Sequence, residues 1–395
     1  MTPKDDQSIL ILNVGSSTLK FGLFPLAEGD DPFLRGVLEY AGHAGGQLRL
    51  VDSRGGRAES LQMSANRESA PRELLGYLER SALFESVRAV GHRLVHGGSK
   101  LCKPMMIDPT VRALLQEVVP FAPDHLTTEL RAIDEVSRFA PAVAQVACFD
   151  TAFHSAMPRI ARLFGLPRSL SDSGVIRYGF HGLSYEYVVD SLRKRGELPI
   201  RIIVAHLGNG ASIAALRNGV GVDTTMGLTP TGGMVMSTRS GDLDPGILLY
   251  LLRSRGFSDD DVDDAIKHKG GLLGISGSSS DMRELLSASP TDPKAEEAIG
   301  VFCYQAKKFI GAYAAALGGI DALVFTGGIG EQSPEIRARI CDGLGFLGIE
   351  VDAALNLENA PTVSATGSKV RVHTMKANEE AMIAKHTRRA ISSLL

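Results

Sequence analysis

Two stretches of the chain share one pattern of apolar and polar positions. Residues 9–24, ILILNVGSSTLKFGLF, run apolar, break at a cluster of small polar residues and turn apolar again. That spacing predicts strand, turn, strand. Residues 201–219, RIIVAHLGNGASIAALRNG, repeat it around a Gly-rich turn. ESVRAVGHRLVHGG (85–98) predicts a strand running into a glycine loop, and PAVAQVACFD (141–150) a buried strand with a polar tip. ALVFTGGIGEQSPEIRARI (322–340) predicts strand, glycine turn, helix, with Ser333-Pro334-Glu335 as the helix start. Apolar spacing of three and four predicts helices over 110–119 and 126–139, near 245–255, 258–268, 280–287 and 295–317, and a basic-ended helix from about 376. The polar, Gly-rich stretch 41–61 suits hairpin loops at a sheet edge.

The repeated hairpin opens each half of the chain, which predicts two related domains. A length of 395 residues agrees, since it exceeds what one core usually supports. With a net charge of −3 there is no basic footprint, so neither a nucleic-acid nor an anionic-membrane partner is expected. No apolar run approaches 18 residues, so no membrane span is expected, and the polar MTPKDDQS start predicts no signal peptide. Cys102, Cys148, Cys303 and Cys341 are scattered, without metal-ligand spacing, as for thiols in a reducing cytoplasm.

Turns built from Gly, Ser and Thr present backbone N–H groups and hydroxyls, a good lining for phosphate oxygens. Each hairpin alone is equally an ordinary β-hairpin. Neither matches GxxxxGK[ST], so neither is a P-loop. Three glycine turns, each directly after an apolar strand, argue together for a phosphate site. Other polar residues fall at strand ends. In GHRLVHGG, alternation puts Arg93 and Val95 on one face and His92, Leu94 and His96 on the other. A zinc pair from His92 and His96 needs a helix and a third ligand that the sequence does not supply. Asp150 in FDTAFH suits Mg²⁺, or caps a turn. His181 lies in RYGFHG and Arg239 in STRSGDLDPG. Two arginines, a histidine, an acid and three such turns fit phosphoryl transfer, where charge spreads over equatorial oxygens.

These segments resemble the acetate kinase family over nearly the whole chain. In order they are LNVGSSTLKF, GHRLVHGG, FDTAFH, RYGFHG, HLGNGAS, TRSGDLDPG, GLLGISGSSSD, FTGGIGE and the terminal NEE. The resemblance implies an α/β fold of two duplicated ribonuclease H-like domains of the actin, hexokinase and Hsp70 type. Mixed β-sheets flanked by helices would border an interdomain cleft. The N-terminal domain would be 1–150 plus about 382–395, and the nucleotide-binding domain 151–381. It also implies a cytoplasmic homodimer that uses Mg²⁺, or Mn²⁺ in its place, to convert acetate and ATP reversibly to acetyl phosphate and ADP. By the same resemblance Arg93, Arg239, His181 and Asp150 would be catalytic. Val95, Asp124, His125, Phe180 and Pro230 would join Arg93 around the carboxylate, and Asn13 and Glu379 would bind the metal. Lys20 and His206, Leu207, Gly208, Asn209 and Gly210 would face the phosphates. Asp281, Met282 and Arg283, with Gly328, Ile329, Gly330, Glu331 and Gln332, would face the adenosine.

The sequence departs from the family pattern in three places. FAPDHLTTEL has Asp124 where the family usually has the Leu of the methyl pocket. RYGFHGLSY has Leu183 and Tyr185 where a Thr and a His are usual, and GIGEQ has Gln332 for Asn. An acid beside a bound methyl group would hydrate it. Asp124 therefore turns away, pairs with a cation, or binds a polar group on the substrate, which makes a hydroxy acid an alternative to acetate; propionate or another short-chain acid is a further alternative, set by the pocket volume at Val95 and Asp124. Outside this chemistry, the same hairpins would serve an actin- or Hsp70-like ATPase, or a non-catalytic nucleotide binder.

Overall fold

The computed structural model describes residues 7–15, 17–40, 45–52 and 58–392. Ser16 of the first turn, and residues 41–44 and 53–57 of the Gly-rich stretch, lie outside the described residues. The chain divides into two compact units, Met1–Phe153 with Asn378–Leu395, and His154–Ala377.

In the first unit the described strands are β1 (Ser8–Val14), β2 (Thr18–Pro25), β3 (Leu34–Tyr40), β4 (Gly46–Asp52), β5 (Ala58–Met63), β6 (Val87–Leu94), β7 (Met105–Met106) and β8 (Ala144–Phe149). They form one sheet in the order β5-β4-β3-β2-β1-β6-β8-β7. β1 to β5 pair antiparallel in succession, while β1, β6 and β8 run parallel. The two-residue period of β1 sorts its side chains. Leu10, Leu12 and Val14 enter a core with Leu74, Leu78, Ala132 and Val136 from helices Ala70–Arg80 and Pro123–Phe139. Ile11 points the other way, toward helix Glu379–Ile391. A Cβ on Gly91 of β6 would lie 2.8 Å from both Ile11 and Ile383 and would collide with Thr387, so the absent side chain lets that helix lie directly on the sheet. Each fully buried Leu or Ile here contributes roughly 1.5–3 kcal/mol.

In the second unit the described strands are β9 (Arg201–Leu207), β10 (Ala211–Arg217), β11 (Val220–Thr224), β12 (Ala322–Thr326) and β13 (Arg371–Thr374), in the order β11-β10-β9-β12-β13. β9, β10 and β11 are antiparallel neighbours, and β9, β12 and β13 run parallel. The first sheet contains the same core, β3-β2-β1-β6-β8. This is the duplicated ribonuclease H-like arrangement, and the matching hairpins at 9–24 and 201–219 are its equivalent strands. Helix Pro293–Leu317 packs on β9 and β10 and buries Ala298, Ile299, Phe302, Ala306, Ile310 and Leu317. Asp292 caps its start, and Gly318 in the left-handed region (φ 69) ends it.

Two local expectations are corrected. GGIGEQ is a short helix, Gly327–Gln332, and not a turn: Gly327 makes the corner at φ 77 and the backbone then winds at once. Ser333 then caps the next helix, Pro334–Cys341, accepting from the Ile336 N–H. β6 ends at Leu94, and Val95 and His96 beyond it are both buried, so strand alternation does not assign those two to opposite faces. Helices Ala70–Arg80 and Gly182–Lys194 and strands β3, β11 and β13 have no counterpart in the sequence reading. Among the described residues, no helix is long and apolar enough to cross a membrane.

Candidate active site

Three adjacent parallel strands of the first unit deliver polar side chains at their carboxyl ends. Asn13 is next to last in β1, Arg93 next to last in β6, and Asp150 follows β8. Arg93 donates from Nε and Nη2 to the two Asp150 oxygens at 3.1 and 2.5 Å, a planar fork on a carboxylate. Its Nη1 points to Asn13 Oδ1 at 3.4 Å and to Glu129 Oε1 at 4.0 Å. Burial disfavours the Arg93 charge, but Asp150, Glu379 and Glu129 outweigh it and raise its pKa. Lys20 is exposed and stands directly opposite Asn13 in the β1–β2 pair. Glu379 opens helix Glu379–Ile391, behind the Asn378 cap.

Glu129 was not anticipated. It lies on helix Pro123–Phe139, 1% exposed, and its Oε2 accepts the Val95 N–H at 2.9 Å. It thereby fixes the chain where β6 ends. Burial pushes its carboxyl up to about 8, against the pull of Arg93. The available signal was an acid at a core-facing position between Leu126 and Ile133. Asp124 and His125 occupy the first turn of the same helix, both half-buried. An anion is favoured there by the helix dipole, and the Asp124 carbonyl accepts from Arg67 Nη2.

The second unit gathers a different set. His181 caps helix Gly182–Lys194 with a left-handed backbone (φ 58, ψ 24), a conformation that costs a non-glycine residue energy. Its ring stacks on His206 at 4.3 Å, and His206 Nδ1 lies 2.8 Å from Ser184 Oγ. Gly210, in the β9–β10 turn, is the meeting point. A Cβ there would lie 3.2 Å from His181 Nε2 and 3.6 Å from Arg239 Nη1. The missing side chain leaves a cradle that two nitrogen-bearing groups face. Arg239 Nη1 also donates to the Pro230 carbonyl at 3.2 Å. Asn209 ties this turn to the next loop, its carbonyl accepting the Ser237 N–H at 3.2 Å. The buried His154, pushed down to about 4 by burial and so neutral, lies 3.0 Å from the Phe180 carbonyl through Nε2 and holds Phe180 beside His181.

The β9–β10 turn touches the start of helix Gly327–Gln332. Gly327 packs its Cα against Leu207, where a Cβ would meet the Leu207 carbonyl oxygen at 2.7 Å, and Gly328 N lies near Gly208.

A sequence profile described as the acetokinase family matches residues 8–385. The chain belongs to the acetokinase family. An acetate kinase of Rhodopseudomonas palustris (strain TIE-1) is 41% identical over 388 residues, covering 96% of this chain and 97% of that protein. One of Clostridium beijerinckii is 39% identical over 394 residues, covering 96% and 98%. The crystal structure of Porphyromonas gingivalis acetate kinase superposes with a TM-score of 0.87 at 38% identity, covering 98% of this chain and all of that one. That of a propionate kinase from Francisella tularensis gives 0.90 at 33%, covering 97% and 99%.

Within this acetokinase, the residues expected at the adenosine are placed as follows. Asp281 caps helix Met282–Ala288 and pairs with the exposed Arg283 at 2.6 Å, while Met282 is buried. Gly328 and Gln332 are exposed, Ile329 is half-buried and Gly330 is buried. Glu331 accepts the N–H groups of Gly327 and Ala377 at 3.1 and 2.8 Å, so its carboxylate serves the backbone. Arg337, missed by the sequence reading, is fully buried. It donates to the Gly330, Glu331 and Asn356 carbonyls and to the Asn356 and Asn359 side chains, and so braces the GIGEQ segment from behind. His92 and His96 do not share a ligand: His92 lies 2.8 Å from Gln145 Oε1, and His96 Nδ1 accepts the Gly98 N–H. Among the described residues, no three His, Cys, Asp or Glu side chains gather into a metal-binding group.

Proposed function

We propose that this protein transfers the γ-phosphoryl group of ATP directly to a short carboxylate, reversibly, with acetate as the simplest acceptor. The observation that carries the reading is the cradle over Gly210, faced by His181 Nε2 and Arg239 Nη1. A short carboxylate has a pKa of roughly 4–5 and is ionised at neutral pH, so its attack needs no general base. A carboxylate oxygen forms the new P–O bond, and the bond from phosphorus to the ADP oxygen breaks. The obstacle is repulsion between two anions. Arg93, held rigid by Asp150, offers its Nη1 edge to the carboxylate, while Arg239 and His181 meet the charge on the moving phosphoryl group. In this reading Val95 of the first unit and Phe180 and Pro230 of the second, each buried, would offer apolar surface to the acceptor, and Asp124 and His125 would belong to its carboxylate side.

The donors near Arg93 fit Mg²⁺, or Mn²⁺, in a limited way. Asn13 Oδ1 and the Glu379 carboxylate are hard oxygens, and Mg²⁺ takes few protein ligands when phosphates and water supply the rest. Bound there, the ion would neutralise phosphate charge. Lys20, the His206–Gly210 turn, Asp281–Arg283 and Gly328–Gln332 belong to the nucleotide side of this reading.

A homodimer and a cytoplasmic location complete it. Helix Pro245–Ser254, PGILLYLLRS, buries none of its residues, and Ile247, Leu249 and Tyr250 are 41, 47 and 54% exposed. An apolar helix of that kind supports contact with a second copy of the chain. Light scattering of wild type and of Leu249→Glu, which should shift a dimer to monomer, tests it. No disulfide joins the four cysteines, in keeping with a reducing compartment.

The test of the reaction is hydroxylamine trapping of acyl phosphate with Mg-ATP and acetate, propionate, butyrate, glycolate or lactate. Strong turnover of acetate or propionate is the expected result. Turnover of only glycolate or lactate would make Asp124 a specificity residue for the hydroxyl group. Silence with all five, with ATP still bound, would overturn the reading in favour of a nucleotide-dependent binding protein.

A further inference from the structure

Tyr185 and Ser212 connect to the proposed reaction centre through His181, and neither role is covered by the reading above. Tyr185 lies one turn after His181 on the same helix, and its N–H donates to the His181 carbonyl at 3.1 Å. Both Tyr185 and Ser212 are fully buried. Tyr185 Oη lies 2.5 Å from Ser212 Oγ, and Ser212 Oγ lies 2.9 Å from His181 Nδ1. The other ring nitrogen, Nε2, faces the Gly210 cradle.

The direction of this chain follows from proton supply. Ser212 has one hydroxyl proton to place between two neighbours. A phenol is a better donor and a poorer acceptor than an alkyl alcohol, so Tyr185 donates to Ser212. Burial raises the phenol further, which keeps that proton in place across the physiological range. Ser212 then donates to His181 Nδ1, which must accept. A neutral imidazole accepting at Nδ1 carries its proton on Nε2.

We propose that Tyr185 and Ser212 are positioning residues that hold His181 as the neutral, Nε2-protonated imidazole, a hydrogen-bond donor aimed into the Gly210 cradle. This rests on the phosphoryl-transfer reading for what the donor meets there. It also accounts for Tyr185 where the family usually has histidine: the phenol keeps a buried donor at this position while its ring fills the space against His154, centroids 5.5 Å apart. The stack on His206 and the left-handed backbone fix the ring plane, so the hydroxyl chain needs only to set the proton.

Nitrogen-15 NMR of histidine-labelled wild type, with the His181 signals identified by their loss in His181→Asn, reads the tautomer without any substrate. The expected pattern is protonated Nε2 and bare Nδ1. In Tyr185→Phe it should become a mixture, with kcat down on the order of 10- to 100-fold and KM for both substrates within about twofold. Tyr185→His, which restores a buried N–H donor, should recover most of the loss. A wild-type Nδ1-protonated pattern overturns the proposal. So does a Tyr185→Phe protein with unchanged tautomer and kcat. If the expected tautomer is present but no carboxylate turns over, the relay stands and the phosphoryl-transfer reading falls.

Discussion

Around Arg93 the partners are the Asp150 and Glu379 carboxylates, the buried and largely protonated Glu129, and the Asn13 amide oxygen, whereas around His181 they are a serine hydroxyl, a second imidazole and a glycine. The first set holds a permanent charge by setting two carboxylates and further oxygen acceptors around it. The second holds a neutral donor by fixing its proton and its ring plane. The lesson concerns cost. A buried ion with its partner removed leaves an uncompensated charge, so the first set ties activity to stability. A neutral donor that is displaced loses its aim and little else, so the second set separates them.

The largest effect should follow from Arg93→Ala. Acyl phosphate formation should fall on the order of 10³-fold or more. The loss should come with about 3–5 kcal/mol of destabilisation, since Asp150 keeps its burial and loses its counterion. Arg93→Lys should regain stability before activity, because an ammonium cannot reproduce the fork on Asp150. Urea unfolding and the trapping assay on both variants would show this, and an Arg93→Ala protein as stable as wild type would break the comparison.

Arg337 sharpens the contrast from inside the second unit. It too is a buried arginine, yet its bonds run to carbonyls and side-chain amides. Arg337→Ala should cost about 3–5 kcal/mol through acceptors left buried and unpaired. The KM for ATP should rise, because GIGEQ loses its brace, while the carboxylate KM should hold. A rise in carboxylate KM alone would contradict that division.

Gly210→Ala tests the second set directly. The added Cβ would press on His181 Nε2 at 3.2 Å, and Gly210 has no positive φ to strain. The expected result is a loss in kcat on the order of 10²-fold with an unchanged melting temperature. A large drop in melting temperature would mean that the cradle is a packing feature and not a ligand site.

Much of this was legible in the chain, and the remainder was hidden for identifiable reasons. The equivalence of 9–24 and 201–219 announced the duplicated sheet, because a hairpin leaves its period of two in the sequence. The carboxyl-end cluster of Asn13, Arg93 and Asp150 could be guessed from polar residues closing apolar strands, although their mutual distances could not. GGIGEQ looked like a turn because glycine breaks the pattern that helices leave, and only the backbone shows Gly327 turning the corner into a helix. Glu129 and Arg337 were invisible because a charged residue on a helical pattern reads as solvent-facing. Their partners, the Val95 N–H and the Gly330 and Glu331 carbonyls, are backbone atoms with no sequence signature. Tyr185 stood out as a departure, but its route to His181 runs through Ser212, 27 positions away.

The smallest effect expected is also the one whose sign is least intuitive. Glu129 belongs to the charged set, yet in the folded state burial pushes its carboxyl up to about 8, so at neutral pH it is mostly protonated. In the unfolded chain it ionises near 4.3. Between those values the unfolded state binds fewer protons than the folded one, so this residue makes stability fall as pH rises from about 4.5 to about 8. Below that window both states are protonated and the contribution is flat. Glu129→Gln keeps an acceptor for the Val95 N–H and removes the titration. Its stability should match wild type near pH 4.5 and exceed it increasingly toward pH 8, by on the order of 1–3 kcal/mol. Urea unfolding at four pH values between 4.5 and 8 would reveal the divergence. Parallel curves would mean that Glu129 is ionised beside Arg93, and the first set would then hold its arginine with one more full charge than the comparison assigns it.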